Sequence, residues 1–384
     1  MQVLESIFSL LSILGVWKPR HWHGTKAIFY HIYRSIVVIV NHLLLLSVIL
    51  DLEFKNVDLA ALVDNLSLMF VMIVARQNII CMIENHASIT RVLDSLGKGP
   101  FKLRDHQEEV TFKRFTDFIR NIIIYYPLVL MSTLITYSAA HMSAMDSPHV
   151  LPYNGWFPYN YSRTNKLYWV TAVYQLYSVF SMSTIYLILD LLLPCIMCYM
   201  CGHIHILRYR FRVMTEKLKL MVENNNPQDK MIIAERKMMA EWVNYHIDIL
   251  SLVKFINEIF SSVIFVQYTV SSLLLCTIAY LLSHTKQTAM SFAGNFGFIL
   301  AMFFQILLPC YCADKLTIEF SDISTAIYDS NWYYLSNNIR RSVVIILRQS
   351  YRPVAMTSSF FIILSLESFT KVIKVAYTIY NVLQ

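Results

Sequence analysis

The sequence predicts an all-α membrane protein with seven transmembrane helices, a cytoplasmic N-terminus and an extracellular C-terminus. Hydrophobic residues make up 56% of the chain and charged residues only 15%, whereas soluble domains carry roughly 25% charged residues. Seven apolar runs approach or exceed the about 20 residues that a helix needs to cross a bilayer. These runs, here called spans 1 to 7, cover residues 30–51, 60–82, 121–143, 167–200, 257–283, 288–312 and 356–383.

The segment before span 1, residues 1–29, begins with the apolar run "MQVLESIFSLLSILGVW". It lacks the basic start of a signal peptide, carries Glu5, and is followed by Lys18, Pro19 and Arg20 in place of a small-residue cleavage site. We expect a short amphipathic helix that lies on the inner membrane surface.

The distribution of Lys and Arg predicts the orientation, because short cytoplasmic loops are enriched in these residues. With a cytoplasmic N-terminus, 25 of the 32 Lys and Arg residues fall in cytoplasmic segments. The outer loops hold only Lys55, Arg163, Lys166 and Lys286. Asn160-Tyr161-Ser162, an N-glycosylation acceptor in one of these outer loops, agrees with the same orientation.

Several spans continue past the bilayer as charged, helix-periodic segments. Residues 201–256, interrupted by "NNNPQD", and residues 313–353, with a helix predicted at 333–350, are expected to pack into cytoplasmic anchor helices. The remaining regions are 30–200 with spans 1–4, 257–312 with spans 5–6, and 354–384 with span 7. No basic face suited to nucleic acid is left outside the spans, so nucleic acid is not expected as a partner.

Enzyme signatures such as a glycine-rich phosphate loop, His-Glu-x-x-His or Gly-x-Ser-x-Gly are missing from the sequence. Cys195, Cys198, Cys201, Cys310 and Cys312 lie at the inner ends of spans 4 and 6. Metal or cluster ligation and acylation are conceivable for these thiols, but buried apolar packing is the more frequent role. We therefore predict no enzyme, no metal and no cofactor.

Other polar residues in or near the spans have two readings each. The pairs His21/His23 and His203/His205 lack neighbouring carboxylates in the sequence, which favours solvation at the interface over metal binding. Asp190 in span 4 is an ionisable group at depth. It either pairs with Arg76 near the inner end of span 2 or lies near the inner interface.

Aromatic, hydroxyl and amide residues concentrate in the outer halves of spans 2, 3, 4 and 6. This set is Met69, Phe70, Met131, Leu134, Tyr137, Tyr174, Tyr177, Phe180, Ser181, Ser291, Phe292, Asn295 and Phe296. Tyr174, Tyr177 and Ser181 share one helix face. The set indicates either ordinary packing between helices or a cavity for a small, mostly apolar ligand.

Span 7 carries a polar stripe. Glu367, Lys371, Lys374, Thr378 and Asn381 are spaced by four, three, four and three residues, which places them on one helix face. Lipid cannot satisfy such a face, so it must meet neighbouring helices or water. The second alternative is an aqueous pathway that several subunits build around an axis.

The C-terminal stretch "STAIYDSNWYYLSNNIRRSVVIILRQSYRPVAMTSSFFIILSLESFTKVIKVAYTIYNVLQ" resembles the end of insect odorant receptors. The resemblance is carried by Tyr328, Trp332, Tyr333, Leu335, Arg348, Arg352, Pro353 and Leu366-Glu367-Ser368-Phe369 before a Tyr-rich terminal helix. The run "YHIDILSLVKFINEIFSSVIFVQYTVSSLLLC" is similar to the family's stretch leading into span 5. Related gustatory receptors end in a Thr-Tyr…Gln-Phe pattern, whereas this chain has Ala376-Tyr377 and ends at Gln384.

The odorant receptor co-receptor carries a long insertion before span 5, where this chain has only "VENNNPQD". The resemblance therefore implies a ligand-selective subunit of an odorant-gated cation channel, assembled with the co-receptor as a heterotetramer in the plasma membrane of olfactory sensory neuron dendrites. It also implies that the outer halves of spans 2, 3, 4 and 6 bind a small volatile ligand, that span 7 lines the pore, and that Val382 is the gate. Membrane lipid and permeant cations are the further partners.

Two lysines depart from what a cation pathway favours, because Lys371 and Lys374 would repel permeant cations. Glu367 neutralises one of them, or both extend to the inner mouth, or the co-receptor's helices dominate conduction. A gustatory-type channel of the same superfamily is the alternative function. A G-protein-coupled receptor is disfavoured, because it requires an extracellular N-terminus and a cytoplasmic tail, the reverse of the predicted orientation. The Asp-Arg-Tyr motif after span 3 and the Asn-Pro-x-x-Tyr motif in span 7 are also missing from the sequence.

Overall fold

The computed structural model describes residues 2–19, 22–54, 59–97, 99–143, 150–225, 227–284, 289–350, 354–358 and 362–383. Within these ranges the backbone forms α-helices, short 3-10 turns and a two-stranded hairpin. The helices are α1 (Gln2–Ile13), α2 (Thr25–Phe54), α3 (Leu59–Glu84), α4 (His86–Leu96), α5 (His106–Ser143), α6 (Asn165–Glu223), α7 (Gln228–His284), α8 (Ala289–Tyr328), α9 (Asn337–Ser350) and α10 (Leu366–Leu383). The hairpin strands are β1 (Thr357–Ser358) and β2 (Ile362–Ile363).

The predicted spans correspond to α2, α3, α5, α6, α7, α8 and α10, so the predicted all-α membrane fold is confirmed. The first six are each long and apolar enough to cross a membrane. The seventh, α10, has 18 residues and is amphipathic, with one apolar and one polar face. Three helices contain an internal proline, Pro127, Pro194 and Pro309, which membrane helices tolerate because neighbouring groups satisfy the freed carbonyl.

Helix α6 lies at the centre of the bundle. Its most apolar 18-residue window is entirely buried, and it contacts α1, α2, α3, α5, α7 and α8. At Gly202 a Cβ atom would lie only 2.8 Å from the ring of Phe112 on α5. Glycine therefore permits the close approach of α5 to α6 at this crossing.

One end of the bundle, here called the extension end, is formed by α4, α9, the start of α5, the start of α7 and the ends of α6 and α8. Arg210 of α6 donates to both carboxylate oxygens of Glu108 on α5, at 2.7 and 2.9 Å, and to the carbonyls of Pro100 and Lys102. Trp242 of α7 donates to the carbonyl of Leu207 on α6 at 2.8 Å. These bonds fasten the extensions of α5, α6 and α7 to one another.

His203 lies inside this packing, and its predicted solvation at the interface is wrong. The side chain is fully buried, and its Nδ1 lies 2.8 Å from the hydroxyl of Tyr245. The rings of Phe101 and Phe112 lie against it, with centroids 5.0 and 4.9 Å away. Burial, reinforced by the charge of Arg210, lowers the pKa of His203 to about 3, so this imidazole is neutral.

Helix α1 forms as predicted, but its apolar face is covered by protein. Leu4, Ile7, Phe8 and Leu11 are buried, and α1 contacts α5 and α6. Trp17, just after α1, stacks on His86 at the start of α4. One face of the helix therefore packs into the core of the bundle, and its predicted position at the inner membrane surface stays a prediction.

Span 7 begins later than the sequence predicts. The hairpin formed by β1 and β2 precedes α10, because the amide of Thr357 donates to Asn257 of α7 at 2.7 Å in place of a helical hydrogen bond. The side chain of Asn257 also donates to the hydroxyl of Thr357 at 3.1 Å. Helix α10 then starts at an N-cap, where the hydroxyl of Ser365 accepts a hydrogen bond from the backbone amide of Ser368.

Candidate ligand cavity and pore-lining helix

A small cavity of about 60 Å³ lies among α3, α5, α6 and α8, which are the helices of spans 2, 3, 4 and 6. Its lining residues are Val71, Leu130, Thr133, Leu134, Ser183, Tyr186, Leu187, Phe298, Ala301, Met302 and Gln305. On α5, α6 and α8 the lining residues recur three, four or seven positions after the first one, so each of these helices presents one face to the cavity, and α3 contributes Val71. Thr133, Ser183, Tyr186 and Gln305 supply polar atoms within an otherwise apolar lining.

Some residues of the predicted set lie at or beside this cavity. Leu134 lines it. The ring of Tyr137 packs on Phe298 with centroids 5.5 Å apart, and its hydroxyl donates to Asp64 of α3 at 3.3 Å. Met131 packs on Leu130, a further lining residue. These three residues of α5 are therefore brought together with α3 and α8.

Other members of the predicted set lie elsewhere. Tyr177 is 55% exposed and Phe292 is 52% exposed, so both side chains lie on the outer surface of the bundle. Tyr174 is half-buried and donates to the carbonyl of Val40 on α2 at 2.9 Å. Met69, Phe70, Phe180 and Ser181 are half-buried, Asn295 is buried and Phe296 is exposed. The side chain of Ser291 lies outside the part of the chain that the structure describes.

The cavity is deeper than the sequence-based set. Ser183, Tyr186 and Gln305 lie further along their helices than the residues that the sequence singled out. A signal for them exists in the sequence, because Ser183, Tyr186 and Asp190 are polar positions spaced by three and four in a strongly apolar segment.

Asp190, one turn beyond Tyr186 on α6, is buried in a polar cluster that joins three helices. The hydroxyl of Tyr126 on α5 donates to one of its carboxylate oxygens, and the amide nitrogen of Gln267 on α7 donates to the other at 2.5 Å. The structure replaces the predicted pairing with Arg76 by these donors, and Asp190 is 7% exposed; its predicted depth near the inner interface stays a prediction. The carboxylate therefore ties the cavity helices α5 and α6 to α7.

The cysteines are packed inside the protein. All seven are buried, and the sulfur of Cys198 lies 3.4 Å from that of Cys312. Among the described residues, no group of three or more His, Cys, Asp or Glu side chains is arranged to hold a metal ion.

Helix α10 presents two different faces. Phe369, Val372, Ile373 and Ala376 pack against the core, and α10 contacts α7 and α8. The predicted stripe faces away from the subunit, because Glu367, Lys371, Lys374, Thr378 and Asn381 are all exposed. The ammonium group of Lys371 lies 2.7 Å from the carboxylate of Glu367. The side chain of Val382, the predicted gate, lies outside the described residues.

Comparison with known proteins places this architecture in a family. A sequence model described as 7tm Odorant receptor matches residues 58–377. Odorant receptor 94a of Drosophila melanogaster is 25% identical over 291 residues, which cover 75% of this chain and 71% of that protein. Odorant receptor 2a of Drosophila melanogaster is 23% identical over 389 residues, which cover 97% of this chain and 93% of that protein.

The fold itself has solved counterparts. The insect olfactory receptor OR5 from Machilis hrabei, solved alone and in complex with eugenol, is similar with a TM-score of 0.85. The likeness covers 100% of this chain and 97% of that chain at 16% identity. By the family match over residues 58–377, this chain belongs to the 7tm odorant receptor family of insects.

Proposed function

We propose that this chain is the ligand-selective subunit of an odorant-gated, non-selective cation channel. It binds a small volatile molecule among α3, α5, α6 and α8, and it forms a heterotetramer with the odorant receptor co-receptor around a pore lined by α10. The single observation that carries the channel function is the polar face of α10, which the subunit's own helices leave uncovered.

The physical argument for a pore starts from that face. A row of charged and polar side chains cannot be placed against lipid, because hydrocarbon offers no hydrogen-bond partners. The opposite face of α10 already packs on α7 and α8, so the polar row is satisfied by water or by another subunit. Several copies of α10 around an axis provide both. Val382, near the end of the helix, is the proposed hydrophobic gate.

The lysines on this face need a local explanation in a cation pathway. Lys371 is paired with Glu367 at 2.7 Å, so the first of the three sequence-based explanations fits that residue. Lys374 is exposed, and among the described residues it has no carboxylate within ion-pair distance. We propose that each subunit of this type adds one uncompensated positive charge to the pore, which lowers its cation conductance.

The proposed ligand site follows from the cavity lining. Seven apolar side chains surround Thr133, Ser183, Tyr186 and Gln305, a combination that suits a small apolar molecule with one polar atom. The cavity measures about 60 Å³, whereas sites for drug-sized ligands measure roughly 300 to 1,000 Å³. Ligand binding therefore requires lining side chains such as Met302 and Leu134 to move, and this movement is the proposed first step of gating.

Asp190 supplies the proposed connection from the cavity to the pore. It lies one turn from Tyr186, a lining residue, and it bonds to Gln267 of α7. Helix α7 in turn packs along α10. A ligand that displaces Tyr186 or its neighbours shifts the position of α6 relative to α7. Helix α7 then transmits this shift to the pore helix α10.

The test is expression of the chain together with the co-receptor in cells, with whole-cell recording against a broad panel of volatiles. Odorant-evoked, non-selective cation currents that are missing with the co-receptor alone support the proposal. Silence across the panel despite surface expression contradicts it. Epitope tags at both termini of the chain test the orientation. On intact cells, antibody should reach the C-terminal tag and not the N-terminal tag.

A further inference from the structure

A cavity of about 730 Å³ at the extension end is lined by basic residues that the proposed channel function does not use. It lies among α5, α6 and α8. Its charged lining residues are Arg114 of α5, Arg208 and Arg212 of α6, and Lys315 and Glu319 of α8. Gln107 and Thr111 add neutral hydrogen-bonding groups, so the cavity can donate to a negatively charged group from several directions.

The positive charges are only partly compensated. Arg208 donates to Glu319 and, at 3.1 Å, to Asp322. Arg114 and Arg212 have no carboxylate partner among the described residues. Four cations therefore face two carboxylates, which leaves a surplus of two positive charges around one cavity. This surplus attracts an anion with more than one charge.

Lys315 is held in place without losing its charge. Its ammonium group lies over the rings of Phe115 and Phe118, at 5.5 and 5.3 Å from their centroids. A cation–π contact positions a lysine but does not neutralise it. The arrangement therefore presents a positioned ammonium beside the guanidinium groups of Arg114, Arg208 and Arg212.

His205 reports the same convergence of charge. Partial burial and then the charges of Arg208, Arg114 and Arg212 lower its pKa. Three guanidinium groups on two helices thus act on one imidazole, which supports the geometric reading of a strongly positive cavity.

The depth of the cavity indicates which anion it meets. Lys315 follows the predicted end of span 6 by three residues, and Arg208 follows that of span 4 by eight. At 1.5 Å per helical residue, these side chains begin roughly 5 to 12 Å beyond the hydrocarbon. The headgroup layer occupies roughly the first 5 to 8 Å, which includes Lys315. Arg208 lies a few ångströms beyond it, where only a headgroup that carries further phosphates outward from its bridging phosphate extends. The predicted orientation makes this the cytoplasmic leaflet, where anionic lipids concentrate.

We propose that this cavity binds a multiply phosphorylated group, and that its depth selects the headgroup of a cytoplasmic-leaflet phosphoinositide over a soluble polyphosphate. Arginine forks match phosphate oxygens in pairs, and basic pockets between membrane helices on the cytoplasmic side are a known form of lipid recognition. A bound headgroup would join α5, α6 and α8 at the extension end.

The test uses the purified complex with the co-receptor in phosphatidylcholine nanodiscs. Binding of fluorescent phosphatidylinositol bisphosphate is measured for the unchanged chain, for Arg114→Gln with Arg212→Gln, and for the control Lys113→Gln with Arg120→Gln. The control removes two positive charges from exposed positions on α5 that do not line the cavity. We expect at least a tenfold loss of affinity in the first variant and less than a twofold loss in the control.

Equal affinity in all three proteins, or equal loss in both variants, overturns the proposal, because binding then does not depend on this cavity. Competition by soluble inositol trisphosphate distinguishes a membrane phosphoinositide from a soluble polyphosphate as the ligand. Weak competition supports the lipid, whereas competition at the same concentration as the lipid itself overturns the lipid assignment. If the double variant does not assemble, as judged by size-exclusion chromatography, Arg114→Gln alone is compared with Arg120→Gln under the same criteria.

Discussion

Glu367 and Lys371 form an ion pair of 2.7 Å on the exposed face of α10, so the polar row of the proposed pore helix is partly neutralised within one subunit. This pair resolves half of the conflict that two lysines create in a cation pathway. Lys374 lies one turn further along α10, and its positive charge has no carboxylate within ion-pair distance among the described residues.

The first prediction concerns this pair. Glu367→Gln leaves the charge of Lys371 uncompensated and should lower single-channel cation conductance roughly twofold or more, because like charges along a pore repel permeant ions. Lys374→Gln should raise the conductance. Single-channel recording of complexes with the co-receptor measures both. Unchanged conductance in both variants contradicts a pore-facing position for this row.

The second prediction concerns Tyr126, which donates to the buried Asp190. Tyr126→Phe removes one donor from a carboxylate inside the bundle, and an unsatisfied buried group costs about 1–3 kcal/mol. We expect a melting temperature lower by several degrees and a weaker odorant response. The matched control is Tyr125→Phe, since Tyr125 is 64% exposed on the same helix. If the two variants have the same melting temperature, the hydrogen bond from Tyr126 to Asp190 does not stabilise the protein.

The third prediction compares a ring that lines the cavity with a ring on the outer surface of the same helix. Phe298→Ala removes a ring that lines the cavity, and it should change the half-maximal odorant concentration by roughly tenfold. Phe292→Ala, which alters a ring that is 52% exposed on the same helix, should leave it nearly unchanged. Ion selectivity should stay the same in both. A larger effect at Phe292 would move the ligand site toward the outer ends of the helices.

The fourth prediction tests the crossing of α5 over α6. In Gly202→Ala the new methyl group meets the ring of Phe112 at 2.8 Å, and such overpacking typically costs 1–3 kcal/mol. In Gly297→Ala the nearest atom is 3.7 Å away, on Thr133, which is an ordinary contact. We expect a lower melting temperature only for Gly202→Ala. Equal melting of the two variants would show that α5 can move aside.

The sequence was sufficient for the helices and their charge pattern, because these follow from local composition. Seven apolar runs matched α2, α3, α5, α6, α7, α8 and α10, and the period of the stripe correctly placed Glu367 and Lys371 on one face. The start of α10 was missed, since residues after 356 are apolar enough for a helix. Contacts with α7 about 100 residues away in sequence, from Thr357 to Asn257 and from Ser358 to Ser261, hold the described residues of the hairpin in place.

The structure has a cavity among the four helices that the sequence singled out, and this cavity lies further along α6 and α8 than the residues of the predicted set. Helical period alone does not show how each helix is rotated about its axis or shifted along its neighbours. This rotation and shift determine that Tyr177 faces outward and that Tyr186 faces the cavity. Asp190 was recognised as unusual, yet its partners Tyr126 and Gln267 come from helices whose relative heights the sequence does not reveal.

The most direct test of the proposed channel is the accessibility of cysteines introduced along α10. All seven native cysteines are buried, so a charged methanethiosulfonate reagent applied from outside should find little background reaction. Thr378→Cys, on the exposed face, should react during odorant application and reduce the evoked cation current. Ile373→Cys, on the face packed against the core, should not react. Modification of the second position and not of the first, or block at neither, would contradict a pore lined by this face of α10.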